Sequence, residues 1–300
     1  MSTTTQASDR SKIGVMLMLL AVLMFSLNDV LGKYLVASYS VGQLLLIRST
    51  AAVLFLTPFI LKAGWRSLFD VSQPKLMVAR VVLTTIEISS FYYAVGYMPL
   101  ADAMTFWMAA PIYVAALSPF LLGEHVGWRR WTAILIGFAG VIIALRPSSE
   151  TLTLPALVAL TGSVAFSFMM VTGRALRQSS DIAMVFWPTL GVTLLGITAL
   201  PWATTMPTPI DFVLLALLGV VALMAHFLTN RSLMLADAAT VTPYQYTLLV
   251  WAMFFGWLVF NETPRITTII GAVVIVVSGL FIFFREQQLG IKRDTVTEVV

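Results

Sequence analysis

Cysteine is absent from the 300 residues, which removes any disulfide framework and any thiolate metal site. Charge is almost as scarce. Only 11% of residues are Asp, Glu, Lys or Arg, whereas a soluble domain carries about a quarter. Also missing are the phosphate loop GxxxxGK[ST], the zinc helix HExxH, a metal-binding aspartate pair and the serine elbow GxSxG, so ATP hydrolysis and the common membrane-embedded catalytic sites have no residues to run on. No ring of charges or filter sequence marks an ion channel. What fills the chain instead is apolar: 59% of residues are hydrophobic, too many for a surface that faces water. The net charge of +4 suits basic loops at an anionic membrane face rather than nucleic acid.

Ten apolar stretches follow one another, at 13–34, 41–61, 76–97, 100–122, 129–145, 153–174, 182–201, 211–233, 238–260 and 266–284. Each is near the ~20 residues that cross ~30 Å of hydrocarbon as a helix. They are apolar on all sides, without the alternation of a membrane barrel, and Pro74, Pro99, Pro147, Pro207, Pro209 and Pro264 punctuate the short connections. The expectation is an all-α integral membrane protein. The polar residues 1–12 precede a run long enough to span, so the first helix is read as uncleaved. Lys and Arg sort to one side. With the N-terminus inside, thirteen lie on inner segments and Lys33, Arg146 and Arg265 on outer ones, while Arg48 and Arg80 fall within spans. This predicts both termini, 1–12 and 286–300, in the cytoplasm.

The chain repeats itself. FSLNDVLGKYL at 25–35 returns as FSFMMVTGRAL at 166–176, PLADAMT at 99–105 as MLADAAT at 234–240, and Gly123-Glu124 as Asn261-Glu262, with an offset drifting between 135 and 141 residues. Two units result, 13–147 and 153–285. Five spans apiece, an odd number, force the second unit to lie inverted in the membrane, an arrangement that places sites at the interface of the units. The copies differ where Asn28 and Asp29 face Met169 and Met170.

Ionisable groups inside spans are candidate site residues because they need a partner or a wet cavity. Asp29 stands one turn from Lys33, spaced for an i,i+4 ion pair, either as part of a site or as the mate of a lysine reaching the outer interface. Arg48 lies at a similar depth and must meet an acid, Asp29, or a substrate carboxylate. Glu87, near the middle of the third span, is the deepest carboxylate and a candidate for proton coupling. Asn28, Tyr92, Trp107, His226, Asn230, Tyr244 and Gln245 complete the candidate set, with Phe91, Tyr93, Tyr246 and Trp251 alongside. Converging aromatics with few polar groups suit a planar or cationic organic solute. Asp102 and Asp237 read as first-turn acids or caps, Glu124 and Glu262 as loop-end anchors, and Pro111 and Pro243 as interruptions of corresponding helices.

With ten spans in two five-span units, GEHVGWRRW followed by Gly137 and Gly140, and its fainter twin NETPRITTIIG, the chain resembles the EamA type of the drug/metabolite transporter superfamily over about residues 13–285. FSLNDVLGKYL, PLADAMTFWMAAP and TPYQYTLLVWAMFFGWLVFNE are most similar to bacterial S-adenosylmethionine and riboflavin uptake carriers. The resemblance implies secondary transport of a small organic metabolite across the bacterial inner membrane by alternating access, through a central cavity lined mainly by spans 1, 3, 4, 6, 8 and 9. An exporter of amino acids or metabolites from the same superfamily fits equally, and an embedded enzyme is the remote alternative. No cofactor is expected.

Overall fold

In a computed structural model the described residues, 2–121, 127–145, 153–176, 178–202, 205–235 and 241–297, form helices joined by short turns. The helices are α1 (Ser2–Val36), α2 (Val41–Ala63), α3 (Pro74–Tyr97), α4 (Leu100–Met108), α5 (Ala110–Leu121), α6 (Trp128–Leu145), α7 (Leu154–Ala175), α8 (Asp181–Thr198), α9 (Pro209–Leu235), α10 (Thr247–Phe260) and α11 (Ile266–Thr297). Among the described residues eight helical stretches are long and apolar enough to cross a bilayer, and Trp131–Ala144 is a shorter apolar one. The remaining crossing is assembled from the 3-10 turn Thr242–Tyr246 and α10. The protein is thus an all-α membrane protein of ten transmembrane segments in two inverted five-helix repeats.

Local chemistry sets the ends. Ser40 caps α2, its hydroxyl accepting from Gln43 N at 3.3 Å, and Gly64 at φ 88° stops it, a left-handed turn that glycine adopts without cost. Pro74 opens α3, where its missing N–H is no loss. Thr208 and Asp211 form a reciprocal cap on α9, with Asp211 N donating to Thr208 Oγ1 and Thr208 Oγ1 to Asp211 Oδ2 at 3.1 and 2.9 Å. The fourth span breaks at Ala109, one residue into the stretch before Pro111, so α4 and α5 are separate helices. At both ends of the chain the helix runs on through segments expected to be tails, from Ser2 in α1 and to Thr297 in α11.

The packing is symmetric between the units. The first span packs most on the eighth (α1 on α9) and the third on the sixth (α3 on α7); the second lies on the seventh and eighth (α2 on α8 and α9), the third also on the seventh, and the fifth on the tenth (α6 on α11). Exchanging the units maps this set onto itself. One core cluster spans both units, with Leu35, Leu45, Phe91, Tyr92, Trp107, Ala159, Leu218 and Ala252 buried together. On the periphery Leu54, Val78, Val213, Phe227, Val250 and Val273 are exposed, a surface suited to lipid. Helices approach closely at small residues: a Cβ on Gly219 would meet the backbone carbonyl of Arg48, so α9 lies directly on α2 at the level of that arginine.

Candidate functional site

The polar content of the interface begins at Asn28, which is buried on α1. Its Nδ2 donates to the carbonyl of Leu218 on α9 at 2.7 Å, and its Oδ1 accepts from the Tyr92 hydroxyl of α3 at 3.5 Å. One amide therefore ties three helices, two from the first unit and one from the second. Tyr92 can sit there because Gly32, one turn beyond Asn28, offers no side chain: a Cβ would run into its ring.

Asp29 is the next residue round α1, half-buried. The charges of Arg48 and Glu87 both act on it, and Arg48 acts on Glu87 as well. Two carboxylates and a guanidinium from α1, α2 and α3 thus share one region near the middle of the bundle, each half-buried. Arg48 lies over the Tyr92 ring, Cζ 5.1 Å from its centroid, a cation–π contact that favours the charge. Among the described residues no ion pair within 4 Å joins Arg48 to either acid. Glu87 Oε1 accepts from Trp107 Nε1 at 2.9 Å; the indole is wedged edge-to-face on Phe91 at 5.1 Å, and Phe91 on Tyr92 at 5.4 Å. A half-buried carboxylate beside aromatic walls can receive a cation or carry a proton.

The second unit contributes differently. His226 on α9 meets Phe25 edge-on at 4.9 Å, one turn N-terminal to Asp29 on α1. Asn230, a turn further in, is exposed, as are Tyr244 and Gln245 of the 3-10 turn. The structure therefore brings Asn28, Asp29, Arg48, Glu87, Tyr92 and Trp107 together, sets His226 at their edge, and leaves Asn230, Tyr244 and Gln245 apart and exposed. Tyr93 turns away to Tyr97, 4.8 Å between rings, and Trp251 stacks on Phe255 at 5.6 Å.

Lys33 corrects one expectation. It does not pair with Asp29; its Nζ lies 2.6 Å from Glu262 Oε1 and donates to Met98 O at 2.6 Å, over the ring of Phe260. The physical reason is Asn261, held at φ 53° with its N–H on Trp257 O, while Glu262 N closes on Gly256 O. This left-handed stop swings Glu262 back over the bundle, where Oε2 also accepts from Leu100 N at 2.9 Å. Glu262 is then a loop-end anchor that clasps both units at the end of the bundle where α1 and α10 finish. Asp102 stands in the first turn of α4 and accepts from Thr268 at 2.7 Å. Glu124, His125 and Asp237 lie outside the described residues. Cavities of about 320 and 210 Å³ flank the Met98–Pro99 turn at the same end. Sequence reasoning passed over Phe25, whose signal was its one-turn spacing from Asp29, and Thr84, discussed below.

A multi-pass membrane transporter is the class that this inverted-repeat fold and charged interface define. The chain belongs to the EamA-like transporter family, whose model matches residues 12–146 and 153–284. It is 27% identical over 282 residues to a protein of Rickettsia bellii named S-adenosylmethionine uptake transporter, covering 94% of this chain and 97% of that one. It is 26% identical to a riboflavin transporter of Rhizobium johnstonii, covering 93% of each. A solved crystal structure at 16% identity superposes with a TM-score of 0.62, covering 90% of this chain and 96% of that one, a likeness of fold.

Proposed function

We propose that the chain is a secondary carrier for uptake of S-adenosylmethionine across the bacterial inner membrane. It works by alternating access of the two units, with both termini in the cytoplasm. The observation that carries this reading is the placement of Asp29 and Glu87 about one guanidinium, Arg48, against the rings of Tyr92 and Trp107. S-adenosylmethionine is a sulfonium cation bearing an amino acid and a planar adenine. Carboxylates and aromatic faces are the groups that hold a soft cation and a flat base in a partly dry site, whereas the neutral isoalloxazine of riboflavin leaves two acids without use. The names of the Rickettsia relatives point the same way. Glu87, deepest of the acids and held by Trp107, is the group we assign to proton coupling.

The test is uptake of labelled S-adenosylmethionine by proteoliposomes of the purified chain. Saturable flux is expected, with counterflow against unlabelled compound and a response to an imposed proton gradient that Glu87→Gln removes. Saturable flux of riboflavin with none of S-adenosylmethionine would overturn the substrate, and a proton response unchanged in Glu87→Gln would remove Glu87 from coupling.

A further inference from the structure

On the N-terminal side of Glu87, α3 carries polar atoms that no described residue satisfies. Arg80 donates from Nη1 to the Met169 carbonyl of α7 at 2.8 Å, but its Nε is buried without a partner. Among the described residues no carboxylate pairs with it. A guanidinium has five donors in a planar fork and stays charged, so a membrane-buried one with no anion is an incomplete arrangement. One turn on, Thr84 is buried and its Oγ1 also lacks a partner. That is unusual here. Thr85, Thr105, Thr189, Thr193 and Thr229 each return their hydroxyl to the carbonyl four residues back, at 2.7–2.9 Å, the default for a helical threonine. Thr84 withholds its hydroxyl from its own helix.

Arg80, Thr84 and Glu87 are spaced i, i+4, i+7 and so share one face of α3. From Arg80 to Glu87 the rise is about 10 Å. On the α7 side the guanidinium abuts Gly173, where a Cβ would stand 3.0 Å from Nη1. Arg48 is placed differently, on α2 with its guanidinium over the Tyr92 ring.

We propose that Arg80 and Thr84 form an anion subsite that takes the carboxylate of a zwitterionic substrate. The cationic end of that substrate then lies toward Asp29 and Glu87. The fork of Arg80 supplies a charge-assisted pair to the carboxylate, Thr84 adds a hydroxyl, and the two subsites fix the orientation of the solute along α3. This assignment rests on the carrier reading and narrows it to substrates that bear a free carboxylate.

The experiment compares S-adenosylmethionine with its decarboxylated analogue as competitors of uptake in proteoliposomes, for the wild-type chain, Arg80→Gln and Thr84→Val. Wild type is expected to prefer the carboxylate-bearing compound about tenfold or more, as a site built to bond a polar group does. In Arg80→Gln the two compounds become equivalent, with the loss in KM rather than in the maximal rate; Thr84→Val narrows the preference to about threefold. Thr84→Val keeps the shape of the side chain and serves if Arg80→Gln does not fold. Equal weakening of both compounds in the variants, or a wild type indifferent to the carboxylate, overturns the subsite and leaves the carrier standing. No saturable uptake of either compound by wild type overturns the carrier reading for this substrate class and the subsite with it.

Discussion

The two units share an order of helices and a set of packing partners, yet they divide the polar work unequally. All four charges deep in spans, Asp29, Arg48, Arg80 and Glu87, belong to the first unit. In the second, Met169 and Met170 stand where the first has Asn28 and Asp29. At these deep positions the second unit meets the first with backbone and rings, the Leu218 carbonyl to Asn28, the Met169 carbonyl to Arg80 and His226 against Phe25, while its side-chain partners Glu262, Thr268 and Asp211 lie toward the helix ends. The two carbonyl bonds sit at the α1–α9 and α7–α3 crossings, which the pseudo-twofold exchanges, with the donor on the first unit both times. Packing constrains both copies alike, because close helix approach is needed at every crossing. A substrate with different ends would not, and under the proposed carrier function it would be met by the copy that bears the charges.

The sharpest way to break this contrast is to make the first unit resemble the second. Asp29→Met installs the residue of the twin position. It removes a half-buried carboxylate from a bilayer-spanning helix, so thermal unfolding in detergent should stay level or rise. Uptake, by contrast, should fall about 100-fold, equivalent to ~2.7 kcal/mol of lost stabilisation. Flux assays on the same preparation used for melting separate the two effects. Retained uptake would mean that the asymmetry at this position is incidental to transport.

A second experiment concerns the clasp between units. Lys33 and Glu262 have side chains 11% and 22% exposed, enough burial for the pair to count. Lys33→Met leaves the Glu262 carboxylate with only the Leu100 N–H, and Glu262→Gln leaves the Lys33 ammonium on the Met98 carbonyl. A double-mutant cycle read by thermal unfolding should give a coupling of about 1–2 kcal/mol. A coupling near zero would mean that the units meet at this end of the bundle without this pair.

These cases mark what can be read from the chain without coordinates. Composition and run length gave the helical membrane class, because hydrocarbon admits few alternatives, and the doubled FS-containing segment gave the repeat. Interruption near Pro111 and Pro243 was also legible, since proline disrupts its own helix: the fourth span does break at Ala109, and Pro243 sits in the 3-10 turn Thr242–Tyr246. The partner of Lys33 was not legible. Asp29 is four residues away and Glu262 is 229, and local spacing cannot weigh a contact made by a left-handed Asn261 at the far end of the chain. Nor could sequence distinguish Thr84 from the threonines that bond their own helix, because the difference is one rotamer set by neighbours on other helices.

The gentlest prediction tests a contact between units that carries no buried charge. Tyr39, in the turn between α1 and α2, donates its hydroxyl to Asp211 Oδ2 at 2.6 Å, bridging the first unit to the cap of α9. That bond to Asp211 pushes the phenol above its ordinary pKa of 10.0. A group whose folded pKa is raised stabilises fully below its unfolded pKa and loses that contribution as pH climbs through the folded one. The bond is therefore intact at neutral pH and is lost in alkali, where tyrosinate would face the carboxylate. Tyr39→Phe should lower the melting temperature slightly near neutral pH, and the gap from wild type should close above about pH 10. A gap that persists unchanged into alkali would assign the effect to packing of the ring and not to its hydroxyl. Gln43, whose Nε2 donates to the Thr205 carbonyl at 2.7 Å, makes a neighbouring bridge without a titrating group, and Gln43→Ala supplies the pH-independent control.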